Sequence, residues 1–189
     1  MDENGVLYLR EREGEEMKQY FKNPSLKKLI ISPSVVKIGQ FAFSKSGDLT
    51  PGVPFCECMN LEEIVIEEGC SIKKMYETSF QWSDNIKRII VQKCEPKELK
   101  KLLFTRCLVE EIIVIGVKEF FCFSSGIFDM RNVNKIYIDD SIENISGRWF
   151  INWRPVEVYI KEEFHEEMKK HVNQAEFVED WLYKGPLLK

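Results

Sequence analysis

The chain has 189 residues, of which 44% are apolar, 31% charged and 12% aromatic, and its formal net charge is −4. These values are typical of one globular domain or a short repeat array with a real core. The negative charge argues against nucleic acid or an anionic membrane as a partner. No apolar run reaches the roughly 18 residues that span a bilayer, which argues against membrane insertion.

The N-terminal segment, residues 1–16, lacks the basic and then apolar layout of a secretory signal. We therefore expect a cytoplasmic protein on the chain as given, or a cell-surface or secreted protein if a signal has been trimmed. The six cysteines form no CxxC motif, so they indicate neither a zinc site nor a thioredoxin-like site. Such thiols are usually buried and favour a reducing compartment. Cys56 and Cys58, beside a Pro/Gly loop, are where redox chemistry would be sought.

A six-residue pattern, apolar-x-charged-apolar-x-apolar, recurs along the chain. It reads NGVLYL from Asn4, LKKLII from Leu26, LEEIVI from Leu61, IKRIIV from Ile86, VEEIIV from Val109, VNKIYI from Val133 and PVEVYI from Pro155, the first and last copies being the weakest. Successive copies begin 22, 35, 25, 23, 24 and 22 residues apart. Short β-branched segments at this period predict a solenoid whose unit is one strand and a return segment.

The return segments also agree in part. Ile38 aligns with Met75 and Ile145, and the residues after Ile38 predict a tight turn followed by a short helical turn. The segment 94–104 departs from this pattern and predicts a true short helix after Pro96. The one long spacing contains an insert, residues 44–55, whose Gly, Pro and Ser content predicts a surface loop that could be deleted with little loss of thermal stability.

Two stretches carry a family resemblance. They are Leu26-x-x-Leu29-x-Ile31, Pro33 and Val36-x-Ile38-Gly39-x-x-Ala42-Phe43, and later Phe55-x-x-Cys58-x-x-Leu61-x-x-Ile64. This arrangement resembles the BspA-like class of leucine-rich repeat, most closely from Leu26 to about Phe80 and again around 133–150. The resemblance implies an α/β fold: a right-handed solenoid with a parallel concave sheet of about seven strands and short helical turns on the convex side. The family includes bacterial surface proteins that bind host matrix proteins, and it implies no catalytic residues.

After Ile160 the pattern stops. Residues 161–189 read as one or two amphipathic helices whose apolar side carries Phe164, Met168, Val172, Phe177, Trp181 and Leu182. A solenoid needs its last unit covered. We therefore expect a solenoid over residues 1–160 and a C-terminal helical cap over residues 161–189.

The residue between the two inward positions of each strand forms an outward column. Its seven members are Tyr8, Ile30, Val65, Ile90, Ile113, Tyr137 and Tyr159. None is charged, and together they would expose an apolar stripe of the order of 300–400 Å², a size that usually marks an interface. We interpret the stripe as a protein-binding surface. High β-propensity alone, or cover by the chain's own loop or cap, are the alternatives.

Beside the stripe runs a charged column of alternating sign, Lys28, Glu63, Arg88, Glu111, Lys135 and Glu157. Opposite charges on adjacent strands avoid repulsion, so we interpret this column as structural.

Because Ile90 of the stripe is expected to point outward, a lysine there should cost about 1 kcal/mol or less in stability. A lysine at inward Ile89 should unfold the repeat.

No catalytic, cofactor-binding or metal-binding residues are predicted. His165 and His171 are six residues apart in the predicted helix and cannot chelate as an HExxH pair does. The acidic candidates by analogy with polysaccharide-cleaving solenoids, Glu67, Glu68, Asp139 and Asp140, fall on units too far apart for paired carboxylates.

The sequence therefore favours a non-enzymatic protein-interaction module with a protein partner of unknown identity. The alternatives are a homodimer formed through the same face and, by family resemblance, an adhesin for host matrix.

Overall fold

In the computed structural model of the chain, the residues described are 1–9, 24–35, 37–38, 58, 60–69, 74–75, 85–93, 109–122, 132–147, 155–170, 172 and 174–178. Several predictions fall outside them: the insert 44–55, the helix after Pro96, and the positions of Cys56, His171 and Trp181. None of the helices in these ranges is long and apolar enough to cross a bilayer.

Twelve short strands make up the described fold. They are β1 (Val6–Leu9), β2 (Lys28–Ile31), β3 (Lys37–Ile38), β4 (Glu63–Ile66), β5 (Lys74–Met75), β6 (Arg88–Gln92), β7 (Glu111–Ile115), β8 (Glu119–Cys122), β9 (Lys135–Ile138), β10 (Asn144–Gly147), β11 (Val156–Tyr159) and β12 (Ala175–Phe177). Eight of them form one sheet in the order β1-β2-β4-β6-β7-β9-β11-β12, and every neighbouring pair is parallel. The predicted parallel stack is confirmed, with one strand more than expected.

A shared carbonyl oxygen joins neighbouring strands at five junctions, from β1–β2 to β7–β9. The carbonyl of Lys27 accepts the amides of both Glu62 and Glu63, at 2.8 and 3.1 Å, and that of Glu62 accepts the amides of Lys87 and Arg88. The carbonyls of Gly5, Lys87 and Glu110 each accept two amides in the same way. Two successive amides thus share one acceptor where each of these pairings begins, and the register that follows is one-to-one.

One continuous core lies on the inner face of this sheet. Its strand residues include Leu29, Ile31, Ile64, Ile66, Ile89, Val91, Ile112, Val114, Ile136, Ile138, Val156 and Val158, all buried. The first position of the repeat adds Leu26, Leu61, Ile86, Val109 and Val133, which are also buried. The inward positions predicted from the pattern are therefore confirmed, and each unit is stabilised mainly by stacking on its neighbours.

The return segments form two smaller sheets. β3 pairs with β5 so that Ile38 lies opposite Met75, as the alignment of the return segments predicts. β10 pairs with β8, with Ile145 opposite Phe120. The described start of the return segment is thus a short parallel strand, and the helical turn expected after Ile38 lies outside the described residues.

Of the described residues after Ile160, only part are helical. A 3-10 helix (Glu162–Phe164) leads into a one-turn helix, α1 (His165–Lys169), whose Met168 is fully buried against the core together with Val172. The expectation that Phe177 lies on a helix is wrong: it belongs to β12, which extends the sheet beyond β11. The pattern missed this strand because Gln174 and Glu179 occupy positions that are apolar in most other copies. The domain boundary at residue 160 stays a prediction.

Two glycines, Gly5 and Gly69, have similar backbone conformations but differ in how closely other atoms approach them. Gly5 and Gly69 have φ angles of 78° and 79°, in the left-handed region that favours glycine. A Cβ on Gly5 would overlap the backbone oxygen of Ser25, whereas on Gly69 its nearest neighbour would be the Pro33 side chain at 3.8 Å.

We expect Gly5→Ala to lower the free energy of unfolding by about 2–3 kcal/mol, because it adds a backbone collision to the left-handed strain. Gly69→Ala, the matched control, should cost only the strain, about 1 kcal/mol. Urea unfolding of both variants measures the difference. Equal losses would show that the close approach of Gly5 to β2 does not stabilise the fold.

Candidate functional site

The structure brings the seven predicted stripe residues side by side. Their paired positions follow one another along the sheet as Tyr8–Ile30, Ile30–Val65, Val65–Ile90, Ile90–Ile113, Ile113–Tyr137 and Tyr137–Tyr159. They share the face opposite the inner core, which we call the outer face. The alignment of the stripe is confirmed.

The centre of the stripe, however, is not open. Ile30, Val65, Ile90 and Ile113 are only 0–3% exposed and form a second apolar cluster with Val6, Ile115 and Tyr137 packed against it. The chain itself supplies this cover, because the structure consists of one copy. The prediction that these four residues present an exposed binding surface is therefore wrong. Among the three alternatives, cover by the chain itself is the one that agrees with their burial.

The ends of the stripe differ from its centre. Tyr8 is 49% exposed, and Tyr137 and Tyr159 are partly exposed. Residue type marks this difference in the sequence: the buried rungs carry isoleucine or valine, whereas the accessible rungs carry tyrosine. Strands buried on both faces read as continuous aliphatic runs, as in LII, IVI and IIV, and this signal could have revealed the second cluster.

The charged column lies beside the stripe as predicted. Nζ of Lys28 is 2.7 Å from the carboxylate of Glu63, which is 3.3 Å from Nη1 of Arg88, and Nε of Arg88 is 2.8 Å from Glu111. Lys135 reaches Glu157 at 3.8 Å. The side chains of this ladder are 19–43% exposed, so each pair stabilises by a few tenths of a kcal/mol to about 1 kcal/mol. The structural interpretation of the ladder is supported.

At the other end of the stripe from Tyr8, two partly exposed tyrosines lie side by side. We call Tyr137 and Tyr159, with their neighbours Lys135 and Glu157, the tyrosine patch. The two rings stack with centroids 4.2 Å apart and an interplanar angle of 19°. The hydroxyl of Tyr159 donates a 2.7 Å hydrogen bond to Oε2 of Glu157. This bond, with partial burial and the nearby Tyr137, raises the pKa of Tyr159 well above its ordinary value of about 10. The patch is thus held in one conformation by its own contacts.

Two of the four acidic enzyme candidates, Glu68 and Asp139, have structural partners. Glu68 forms a 2.7 Å ion pair with Lys93. Asp139 accepts the amide of Gly116 at 2.9 Å and that of Ser141 at 3.2 Å, so its carboxylate closes the turn after β9. No group of three or more potential metal ligands occurs within the described ranges.

The remaining candidate positions that can be placed are packed. The Cys58 side chain is buried, and its burial disfavours redox reactivity. His165 stacks on Phe177 at 4.0 Å, so it belongs to the packing of the C-terminal end.

The buried centre of the stripe leads to a stability prediction. Ile90→Ala should lower the free energy of unfolding by about 2–4 kcal/mol, because it leaves a cavity in the outer cluster. Tyr8→Ala, at the exposed end of the same column, should cost less than about 1 kcal/mol. Chemical denaturation of the two variants provides the comparison, and a similar small loss for both would contradict the burial.

The same burial corrects the expectation for Ile90→Lys. A lysine there would place an unpaired ammonium in an apolar cluster, so it should be about as disruptive as Ile89→Lys rather than tolerated.

The Tyr159–Glu157 bond predicts a pH dependence. Because the pKa of Tyr159 is higher in the folded than in the unfolded chain, its stabilising effect is fully present below about pH 10 and declines above it. We expect the wild type to exceed Tyr159→Phe by about 1 kcal/mol in the free energy of unfolding at pH 8, and by less at pH 11. Tyr8→Phe is the control and should change stability little at pH 8, since the Tyr8 hydroxyl has no hydrogen-bond partner among the described residues. A gap that stayed constant between the two pH values would contradict the hydrogen bond.

Comparison with known proteins agrees with this geometry. No curated protein and no solved structure matches the sequence significantly. A family model, BspA type leucine rich repeat region, matches in six copies over residues 17–51 and 53–173. This match covers most of the chain and includes the strands from β2 to β11. The parallel one-strand-per-unit sheet and the matched repeats show that the chain belongs to the BspA-type leucine-rich repeat family.

Proposed function

We propose that this protein is a non-enzymatic protein-interaction module that contacts its partner through the tyrosine patch. Leucine-rich repeats of this kind suggest protein interaction or adhesion in general. The more specific assignment rests on one observation: the outer face is buried at its centre, while its aromatic rungs Tyr137 and Tyr159 remain accessible.

The chemistry of the patch supports a protein partner. Tyrosine is enriched at protein interfaces because it offers a large apolar ring and a polar tip while losing few rotatable bonds on binding. Here the stacking of Tyr137 on Tyr159 and the bond from Tyr159 to Glu157 fix the rings in advance. A patch that is already ordered loses less conformational entropy when a partner docks on it.

The charges around the patch support it further. Lys135 and Glu157 keep 35% and 43% of their side-chain surface exposed, against 35% and 22% for Arg88 and Glu111 nearer the centre of the ladder. A partly exposed aromatic centre beside accessible charges of both signs is the usual composition of a protein-binding site. Partner residues could pair with these charges without breaking the buried cluster.

The interaction can be tested by placing the photo-crosslinking residue p-benzoylphenylalanine at Tyr137 in the cells that produce the protein. We expect a defined cross-linked partner, identified by mass spectrometry, and a loss of affinity of at least tenfold for Tyr159→Ala when the purified pair is measured by calorimetry. Removing a central aromatic residue of an interface typically has an effect of this size or larger.

The same crosslinker at Lys118 is the control, because this exposed residue belongs to the return segment before β8 and not to the outer face. Cross-links that were equal at the two positions, or undiminished affinity of Tyr159→Ala, would contradict the proposal. Cross-links only to a second copy, with a dimer in light scattering, would replace it with the self-associating alternative.

A further inference from the structure

The two ends of the eight-stranded sheet differ in a way that points to a second interaction surface. β1 and β12 are its terminal strands. A terminal strand presents backbone amides and carbonyls that can pair with another chain, and proteins commonly block such edges. Among the residues that the structure describes, the N-terminal edge carries such a block at Val6, and the C-terminal edge carries none.

Asp2 blocks the start of the N-terminal edge, at Val6. The amide of Val6 donates to Oδ1 of Asp2 at 2.9 Å, and the carbonyl of Val6 accepts the amide of Asp2 at 3.0 Å. Both backbone groups of Val6 that point away from β2 are therefore occupied. A strand arriving at this edge would have to break two hydrogen bonds before it formed its own.

At the C-terminal edge the backbone is open. The amide of Val156 donates to the carbonyl of Gln174, and the amide of Val178 donates to the carbonyl of Val158. Backbone groups of successive residues point to alternate edges of a strand. The amides and carbonyls of Ala175 and Phe177 consequently point away from β11, and in the described part of the chain they have no hydrogen-bond partner.

The side chains at this edge are incompletely covered. Ala175 and Phe177 are only partly buried against the core, whereas their neighbours Val156 and Val158 on β11 are fully buried. Phe177 is held in place by the ring of His165 at 4.0 Å, and Nζ of Lys169 lies 5.9 Å from its centroid. An apolar residue on an added strand would complete the burial of Phe177.

The charge at this edge is also unbalanced. Glu176 lies opposite Glu157, so the alternation of the ladder ends with two adjacent carboxylates. Glu176 is exposed, and it forms no ion pair with any residue that the structure describes. The ladder would regain its alternation if the next strand carried a cation beside Glu176.

We propose that the free edge of β12 binds an extended segment of a partner protein in which a basic residue is flanked by apolar residues. The basic residue pairs with Glu176, its two neighbours pack beside Ala175 and Phe177, and the backbone pairs with the open groups of these two residues. This mode is β-augmentation. The site adjoins the tyrosine patch at Glu157 but uses the backbone edge of β12 rather than the tyrosine rings, so its occupation does not depend on the function proposed for that patch.

A second copy of this chain fits the edge less well. In that second copy, the backbone of Val6 on β1 is already bonded to Asp2. The residue placed beside Glu176 would be this valine rather than a cation. If the β12 strands of two copies paired at Glu176, the two Glu176 carboxylates would lie side by side, which is unfavourable. These mismatches favour a partner segment of different sequence.

The test uses two fluorescein-labelled peptides with the sequence of residues 155–160, one native and one carrying Glu157→Lys. This segment already pairs with β12 on its other side, so the peptides match the edge in their apolar residues and differ only in charge. Fluorescence anisotropy with the full chain should show saturable binding of the lysine peptide and at least tenfold weaker binding of the native peptide.

Two protein variants locate the binding. Ala175→Pro removes an amide that points away from β11, so it should abolish binding while the melting temperature changes little. Glu176→Pro is the matched control, because it removes an amide that faces β11 and should lower the melting temperature. Glu176→Lys should retain the fold and reverse the preference in favour of the native peptide. Tyr137→Ala should leave peptide binding unchanged, which separates this site from the tyrosine patch.

Several outcomes would overturn the proposal. They are the absence of saturable binding by either peptide, binding of the lysine peptide that survives both Ala175→Pro and Glu176→Lys, and a dimer of the chain alone that Ala175→Pro dissociates. The last result would assign the edge to a second copy. If Ala175→Pro fails to fold, the Glu176→Lys reversal still decides between the outcomes.

Discussion

The register between neighbouring strands is the constraint on which the rest of this structure depends. A slip of one residue in a strand exchanges its two faces, and in most sheets the polar face makes such a slip costly. Here that protection is weak, because Ile64, Val65 and Ile66 are all buried. The same holds for the middle residues of β2, β6 and β7. The hydrophobic effect alone does not distinguish the two faces of these strands.

Polar contacts at the start of these doubly buried strands resolve this ambiguity. The shared carbonyls of Lys27 and Glu62 fix where the next strand begins, and the ion pairs of Glu63 with Lys28 and Arg88 lie directly beside them. A slipped strand would bury one of these charges in an apolar layer without its partner, at a cost of several kcal/mol. Each ion pair adds little stability in the correct register, yet it strongly disfavours the wrong one.

The sequence predicted what depends on period and alternation. The strand positions, their parallel order, the inner core and the alternating ladder all follow from a repeat that places leucine, isoleucine or valine at fixed offsets. The sequence did not predict which outward side chains are buried, because their burial depends on contacts between residues distant in the chain. The continuous aliphatic run around Ile90 is the one local signal that its outward side chain is buried, and strand alternation alone does not use it. The sequence did not predict β12, because Gln174 and Glu179 interrupt the apolar pattern there. The register of β12 on β11 is set by backbone pairing, which composition does not reveal.

The alternation of charge also restricts how such an array can grow or shrink. Removing the unit that carries Glu63 would bring Lys28 beside Arg88, and duplicating it would place glutamate beside glutamate. Removing or duplicating two consecutive units keeps opposite charges adjacent. Gene rearrangements therefore preserve the alternation of charge only if they change the array by an even number of units. The adjacent Glu157 and Glu176 interrupt this alternation, at the end of the array where the next strand would be added.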